Sequence, residues 1–216
     1  ELIGKLQKGV TGKDVIITLC GLFNHDEVLN HVLEFTGDGI ADLSIDERLT
    51  IANMTTEWGA LAGVFPTDGV IIQWLKDRAD FISKRGLEGV VSDTYGKNGV
   101  HPRLNYDKIN DLENNPTKAN EKAFYTKEIS LDLNTVSPHI SGPNHVKTMT
   151  SLHAAVGKNI KIDKAYLVSC VNSRVEDLAE AAKTIKGKQV ASHVEFYIAA
   201  ASSEVQAESE TRGDWL

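Results

Sequence analysis

The chain has 216 residues, of which 41% are hydrophobic and 25% charged, with a net charge of −7. That is enough chain to bury a real core in one large domain or two modest ones, at ordinary soluble-globular usage. The 23 basic residues are scattered, which argues against a nucleic-acid surface, and no apolar run reaches the roughly 18 residues of a membrane span.

Residues 14–20 are apolar and β-branched after the turn-like Thr11-Gly12-Lys13, and predict a buried strand. Residues 31–36 predict a second strand closed by Gly37-Asp38-Gly39, with a helix over 26–35 as the alternative. Ser44 and Glu47 form a capping box, and a helix free of Gly and Pro follows to Trp58, before Gly63 and Pro66. A further helix spans about Asp68 to Lys84, capped by Thr67 or Asp68 and stopped by Gly86. Its apolar face is Ile71, Ile72, Leu75, Ala79 and Ile82.

Residues 86–125 are polar and punctuated, and read as a surface excursion with room for one short helix. Alternation at Ile129, Leu131 and Leu133 predicts a half-buried strand over 127–136. Pro138 to Pro143 reads as a rigid connector and a domain boundary. Beyond it come a strand at Ala165–Ser169, a helix at Val175–Ile185, a strand at Val194–Ala200 and a helix at Ser202–Thr211. That order predicts right-handed crossovers and a parallel sheet. Glu1 in place of Met, and the stop at Leu216, read as cuts inside a longer protein with no leader in view.

Two positions could carry chemistry. Cys170 falls where a parallel strand ends and a helix begins, the edge at which open α/β sheets bind ligands. Nearby helix N–H groups lower a thiol's pKa, so Cys170 is either a metal-binding or reactive thiolate or an inert core thiol. Asn53 and Glu57 lie four residues apart on one helix face among apolar or small residues. They are either an exposed polar stripe or deliberate site groups. The sequon at Asn53 is discounted in mid-helix. The seven histidines show no metal-ligand spacing, and there is no P-loop, dinucleotide fingerprint or Cys-x-x-Cys. Two cysteines, Cys20 and Cys170, make no disulfide framework, so the setting reads as intracellular or organellar. Cys20 reads as core.

Three stretches in order resemble the aconitase superfamily: Ser44–Ala60 its signature helix, Pro138–Pro143 its connector into the third domain, and Ser169–Arg174 its Ser-Cys-Thr-Asn motif. Within it, Leu19–Asn24, Thr55–Pro66, His101-Pro102-Arg103 and Phe196–Val205 are most similar to the fungal branch that serves lysine biosynthesis. The resemblance implies an α/β fold with three-layer domains and mostly parallel sheets. Residues 1–137 would be the second domain and 138–216 an incomplete third. Cys170 matches the first of three thiolates holding a [4Fe–4S] cluster. Glu57 matches the carboxylate that hydrogen-bonds water or hydroxide on the open iron, Asn53 an amide contacting the cluster, and Asn172 a further cluster contact.

The implied activity is that of a hydro-lyase, interconverting homocitrate and homoisocitrate through cis-homoaconitate. The implied setting is mitochondrial, with no nucleic-acid or membrane partner. Departures accompany the match. Val171 stands where Thr is usual. The partner Cys-x-x-Cys, the first-domain His and Asp residues, and the arginines and serine base of the mobile domain fall outside the chain. The missing domains of the same polypeptide are thus its expected partners, and the piece alone is expected to hold no intact cluster and to be inactive. Aconitase or isopropylmalate isomerase, and a non-catalytic structural domain, are the alternatives.

Overall fold

A helix stands where residues 14–20 read as a strand. In the computed structural model, which describes residues 1–85 and 101–214, the short strand β1 (Leu2–Ile3) leads to helix α1 (Gly12–Leu22). Asp14 closes the first turn, its carboxylate accepting from the Thr11 backbone N–H at 2.9 Å and the Thr11 hydroxyl at 3.2 Å. Val15 to Cys20 are all buried. A helix sunk on every side carries an unbroken apolar run, which over so short a stretch cannot be told from a buried strand. Burial therefore overrides the β preference of Val15, Ile16, Ile17 and Thr18.

Strand β2 (Val32–Glu34) bears out the strand expected at 31–36, and a 3₁₀ turn at Asp38–Asp42 follows. Helix α2 (Ile45–Trp58) begins on the expected capping box: the Ser44 N–H donates to Glu47 Oε2 at 2.9 Å, and the Glu47 N–H to Ser44 Oγ at 3.2 Å. It ends at Gly59, whose φ of 113° is open to glycine and strained for other residues. Strand β3 (Ala62–Val64) pairs parallel with β2. Helix α3 (Gly69–Arg85) starts where Asp68 Oδ1 accepts from the Ile71 N–H at 3.1 Å. Its expected stop, Gly86, and residues 87–100 of the excursion lie outside the described residues. The short helix of that excursion is α4 (Tyr106–Asn114), packed on α3 through Ile72, Ala79 and Ile109.

The strand expected over 127–136 is only β4 (Leu131–Asp132), paired parallel with β1, before a 3₁₀ turn at Leu133–Thr135. Asp132 stops it by accepting from the Asn134 N–H at 2.9 Å. Antiparallel strands β5 (His139–Ser141) and β6 (Met149–Ser151) pack on α1, with helix α5 (Leu152–Val156) following. Then β7 (Lys164–Leu167), α6 (Val175–Ile185), β8 (Glu195–Ile198) and α7 (Ser203–Arg212) follow in the expected order, β7 parallel to β8.

The fold is α/β with short, mostly parallel sheets, each of two strands among the described residues. The main core gathers α1 and α2 with Leu2, Phe35, Leu131 and Leu133. Gly12 lets the two helices touch, because a Cβ there would stand 2.9 Å from the Glu47 Cβ and backbone oxygen. No helix among the described residues is long and apolar enough to cross a membrane.

Candidate functional site

The C-terminal ends of β7 and β8 open on one edge. The chain leaves β7 through Ser169, whose φ of 138° lies in a region that disfavours side chains. Its hydroxyl oxygen accepts from the N–H groups of Val171 at 3.1 Å and Asn172 at 2.9 Å, folding the turn around Cys170. The Ser173 carbonyl accepts from the Ala201 N–H at 2.9 Å, which ties the turn to the chain leaving β8. Cys170 is exposed, so it is not the inert core thiol that free cysteines often are. Cys20 is that thiol: it is fully buried, and burial pushes it up to about 11.

Asn172 carries the turn to the helices. Its Nδ2 donates to Thr50 Oγ1 of α2 at 3.2 Å, and its Oδ1 accepts from Lys13 Nζ of α1 at 3.2 Å. Thr50, Asn53 and Glu57 follow one another at helical spacing along one face of α2. Thr50 is buried, and Asn53 and Glu57 are exposed. Glu57 lies near enough to Lys13 for its charge to act on the ammonium. The structure thus brings Asn172, two residues after Cys170, against the α2 face that carries Thr50 and Glu57.

Electrostatics follow from the packing. Burial lowers the Lys13 ammonium below the ordinary lysine range, with Glu57 and Asp177 acting against it. Burial raises the Asp177 carboxyl, opposed by the Arg174 N–H and reinforced by Asp46. Downstream, Arg174 ion-pairs with Asp46, and the Ser44 hydroxyl donates to Glu176 at 3.2 Å, so the start of α6 sits against the start of α2. A cavity of about 500 Å³ opens there, lined by Asp46, Gln73, Trp74 and Glu176 among others. Neither Cys170 nor Glu57 lines it.

Lys13, Thr50 and Asp177 are absent from the sequence-based candidates. Thr50 is readable as one turn before Asn53 on the same face. Lys13 is hidden because its element reads as a strand. Among the described residues no group of three or more His, Cys, Asp or Glu is placed to hold a metal. One exposed thiol, Cys170, fits a single ligand position of an iron–sulfur cluster, whose other thiolates would come from elsewhere.

The model of the aconitase family (aconitate hydratase) matches residues 1–216. The whole chain is 54% identical over 216 residues to the mitochondrial homoaconitase of Mycosarcoma maydis, covering 29% of that protein. It is 51% identical over 215 residues to that of Debaryomyces hansenii, covering 29%. It is 54% identical over 218 residues to that of Cryptococcus neoformans, covering 30%. The chain therefore spans less than a third of the length of these curated relatives. Matched by the family model from its first residue to its last, it belongs to the aconitase family.

Proposed function

We propose that this chain is part of a mitochondrial homoaconitase, a hydro-lyase of lysine biosynthesis that interconverts homocitrate and homoisocitrate through cis-homoaconitate. The observation that carries this reading is the tie from the Cys170 turn, through Asn172, to the helix face bearing Glu57. The names of relatives about half identical to the chain support the substrate and the organelle. Residues 1–137 and 138–216 are proposed as the second domain and an incomplete third domain of the full-length polypeptide.

Cys170 would give one thiolate to a [4Fe–4S] cluster, with the remaining ligands from chain outside this sequence. The cluster supplies, when bound, an open iron that acts as a Lewis acid on the hydroxyl group of a tricarboxylic acid. Glu57 would hydrogen-bond that oxygen and give it a proton as the C–O bond breaks, while a base from chain outside this sequence takes the proton from the neighbouring carbon; rehydration reverses both transfers. Asn53 and Asn172 orient the groups around it with their amides. A chain with one such thiolate is expected neither to retain a cluster nor to turn over substrate alone.

The test uses the full-length protein. Cys170→Ser should lose the cluster's visible absorbance and its activity, and Glu57→Gln should keep the cluster while kcat falls by about 10²–10⁴-fold. The wild-type protein should prefer homocitrate or homoisocitrate to citrate and isopropylmalate. An intact cluster in the Cys170→Ser protein would overturn the ligand assignment. Preferential turnover of citrate or isopropylmalate would overturn the substrate.

A further inference from the structure

Lys13 stands in the first turn of α1, one residue after the Gly12 that lets α1 touch α2. That close approach carries a lysine to the side of α2 where Thr50 and Glu57 lie. The Asn172 amide is held at both ends, its oxygen by Lys13 Nζ and its nitrogen by Thr50 Oγ1, each at 3.2 Å. A primary amide gripped at one end can rotate about its last bond, whereas one gripped at both ends keeps a single orientation. The turn before it closes on itself through Ser169 Oγ, so Asn172 is the side-chain anchor two residues from the sulfur. The other anchor, Arg174 on Asp46, lies two residues further downstream.

We propose that Lys13 is a positioning residue: by holding Asn172 Oδ1 it fixes the orientation of that amide and the placement of the Cys170 sulfur relative to Glu57. This assignment rests on the reading of Cys170 as a cluster ligand. Lys13 touches no reacting atom in it. Burial acts against the half-buried Lys13 ammonium, and the Glu57 and Asp177 carboxylates act in its favour. A neutral side chain of similar bulk would fill the space and leave the Asn172 oxygen unheld. Groups that orient a metal ligand typically matter by about 10–100-fold in metal affinity or activity when removed.

The experiment compares Lys13→Met, Lys13→Arg, Asn172→Ala and the double variant Lys13→Met/Asn172→Ala with wild type, all in the full-length protein. Three quantities are read: the half-life of the cluster's visible absorbance in air, and kcat and KM for homocitrate. Lys13→Met should shorten the half-life by about tenfold and lower kcat by about 10–100-fold, with KM changed less than threefold. Lys13→Arg, which keeps a charged donor, should recover most of both. The double variant should be no worse than Asn172→Ala, because both changes break one connection. Should Lys13→Met fail to accumulate as folded protein, Lys13→Leu, uncharged, shorter and without a donor, carries the same expectation. A cluster half-life and kcat unchanged in Lys13→Met or Lys13→Leu, or full additivity with Asn172→Ala, overturns the assignment alone. A wild-type protein without any cluster overturns the functional reading and this assignment with it.

Discussion

Asp14 Oδ1 accepts a hydrogen bond from the backbone N–H of His139 at 2.9 Å, across 125 residues of chain. The other oxygen of the same carboxylate closes the first turn of α1 on Thr11. One nearly buried side chain therefore both starts the central helix and docks β5 against it. Asp14→Ala removes these three bonds and leaves two N–H donors and the Thr11 hydroxyl without that partner. The expected loss is about 2–4 kcal/mol of unfolding free energy, measured by urea denaturation. Asp14→Asn, which keeps one acceptor, should lose about half as much. A loss under about 0.5 kcal/mol for Ala would show that His139 finds another partner at little cost.

The two thiols should separate cleanly. Cys170 is exposed and Cys20 buried, with the latter pushed up to about 11. At pH 8 a small thiol reagent should modify Cys170 in seconds to minutes in protein free of bound cluster. It should modify Cys20 only after unfolding. Because the folded state holds the Cys20 proton above the ordinary thiol value of 9.0, stability that Cys20 leaves intact below that value is lost as pH rises from about 9 to 11. Cys20→Ala should flatten the alkaline side of a stability–pH profile. Equal labelling of both thiols in folded protein would contradict this picture.

Arg48 is 3% exposed and spends its guanidinium on α2's surroundings. It donates to the Leu43 carbonyl at 3.1 Å, the Ile40 carbonyl at 2.8 Å, and both Asp68 oxygens at 2.8 and 2.7 Å. Burial pushes the Asp68 carboxyl up, but hydrogen bonds from Arg48 and from the Ile71 and Val70 N–H groups outweigh it and hold it below its usual value. The stability this contributes is full above pH 3.8, the unfolded value, and is lost as pH falls through the lower folded one. Arg48→Met should cost about 3–5 kcal/mol, because it strands two carbonyls and a carboxylate. Asp68→Asn should cost less and should remove that acid-side dependence. A melting temperature within a degree of wild type for Arg48→Met would refute the account.

Much of this was legible from sequence. Ser44 and Glu47 announce α2 because a capping box is a local signal, complete within four consecutive residues. The β7-α6-β8-α7 order is legible for the same reason, since each element has its own period. What failed was α1 and most of the strand at 127–136. The Val15–Cys20 run is apolar all round because its neighbours come from both halves of the chain, a fact no local window contains. Leu131 and Leu133 alternate as in a strand, yet Asp132 turns the backbone between them. The site divides along the same line. Cys170, Asn172 and Glu57 stand in recognisable local motifs, whereas Lys13 is joined to Asn172 across 159 residues.

The Ser169 hydroxyl and the Arg174–Asp46 pair hold the turn from both sides. If Cys170 is the proposed ligand, a donor atom on such a bracketed loop has little freedom left to surrender when a metal arrives. The entropy of chelation would then be settled when the polypeptide folds, and a correspondingly larger share of each coordinate bond would go into affinity.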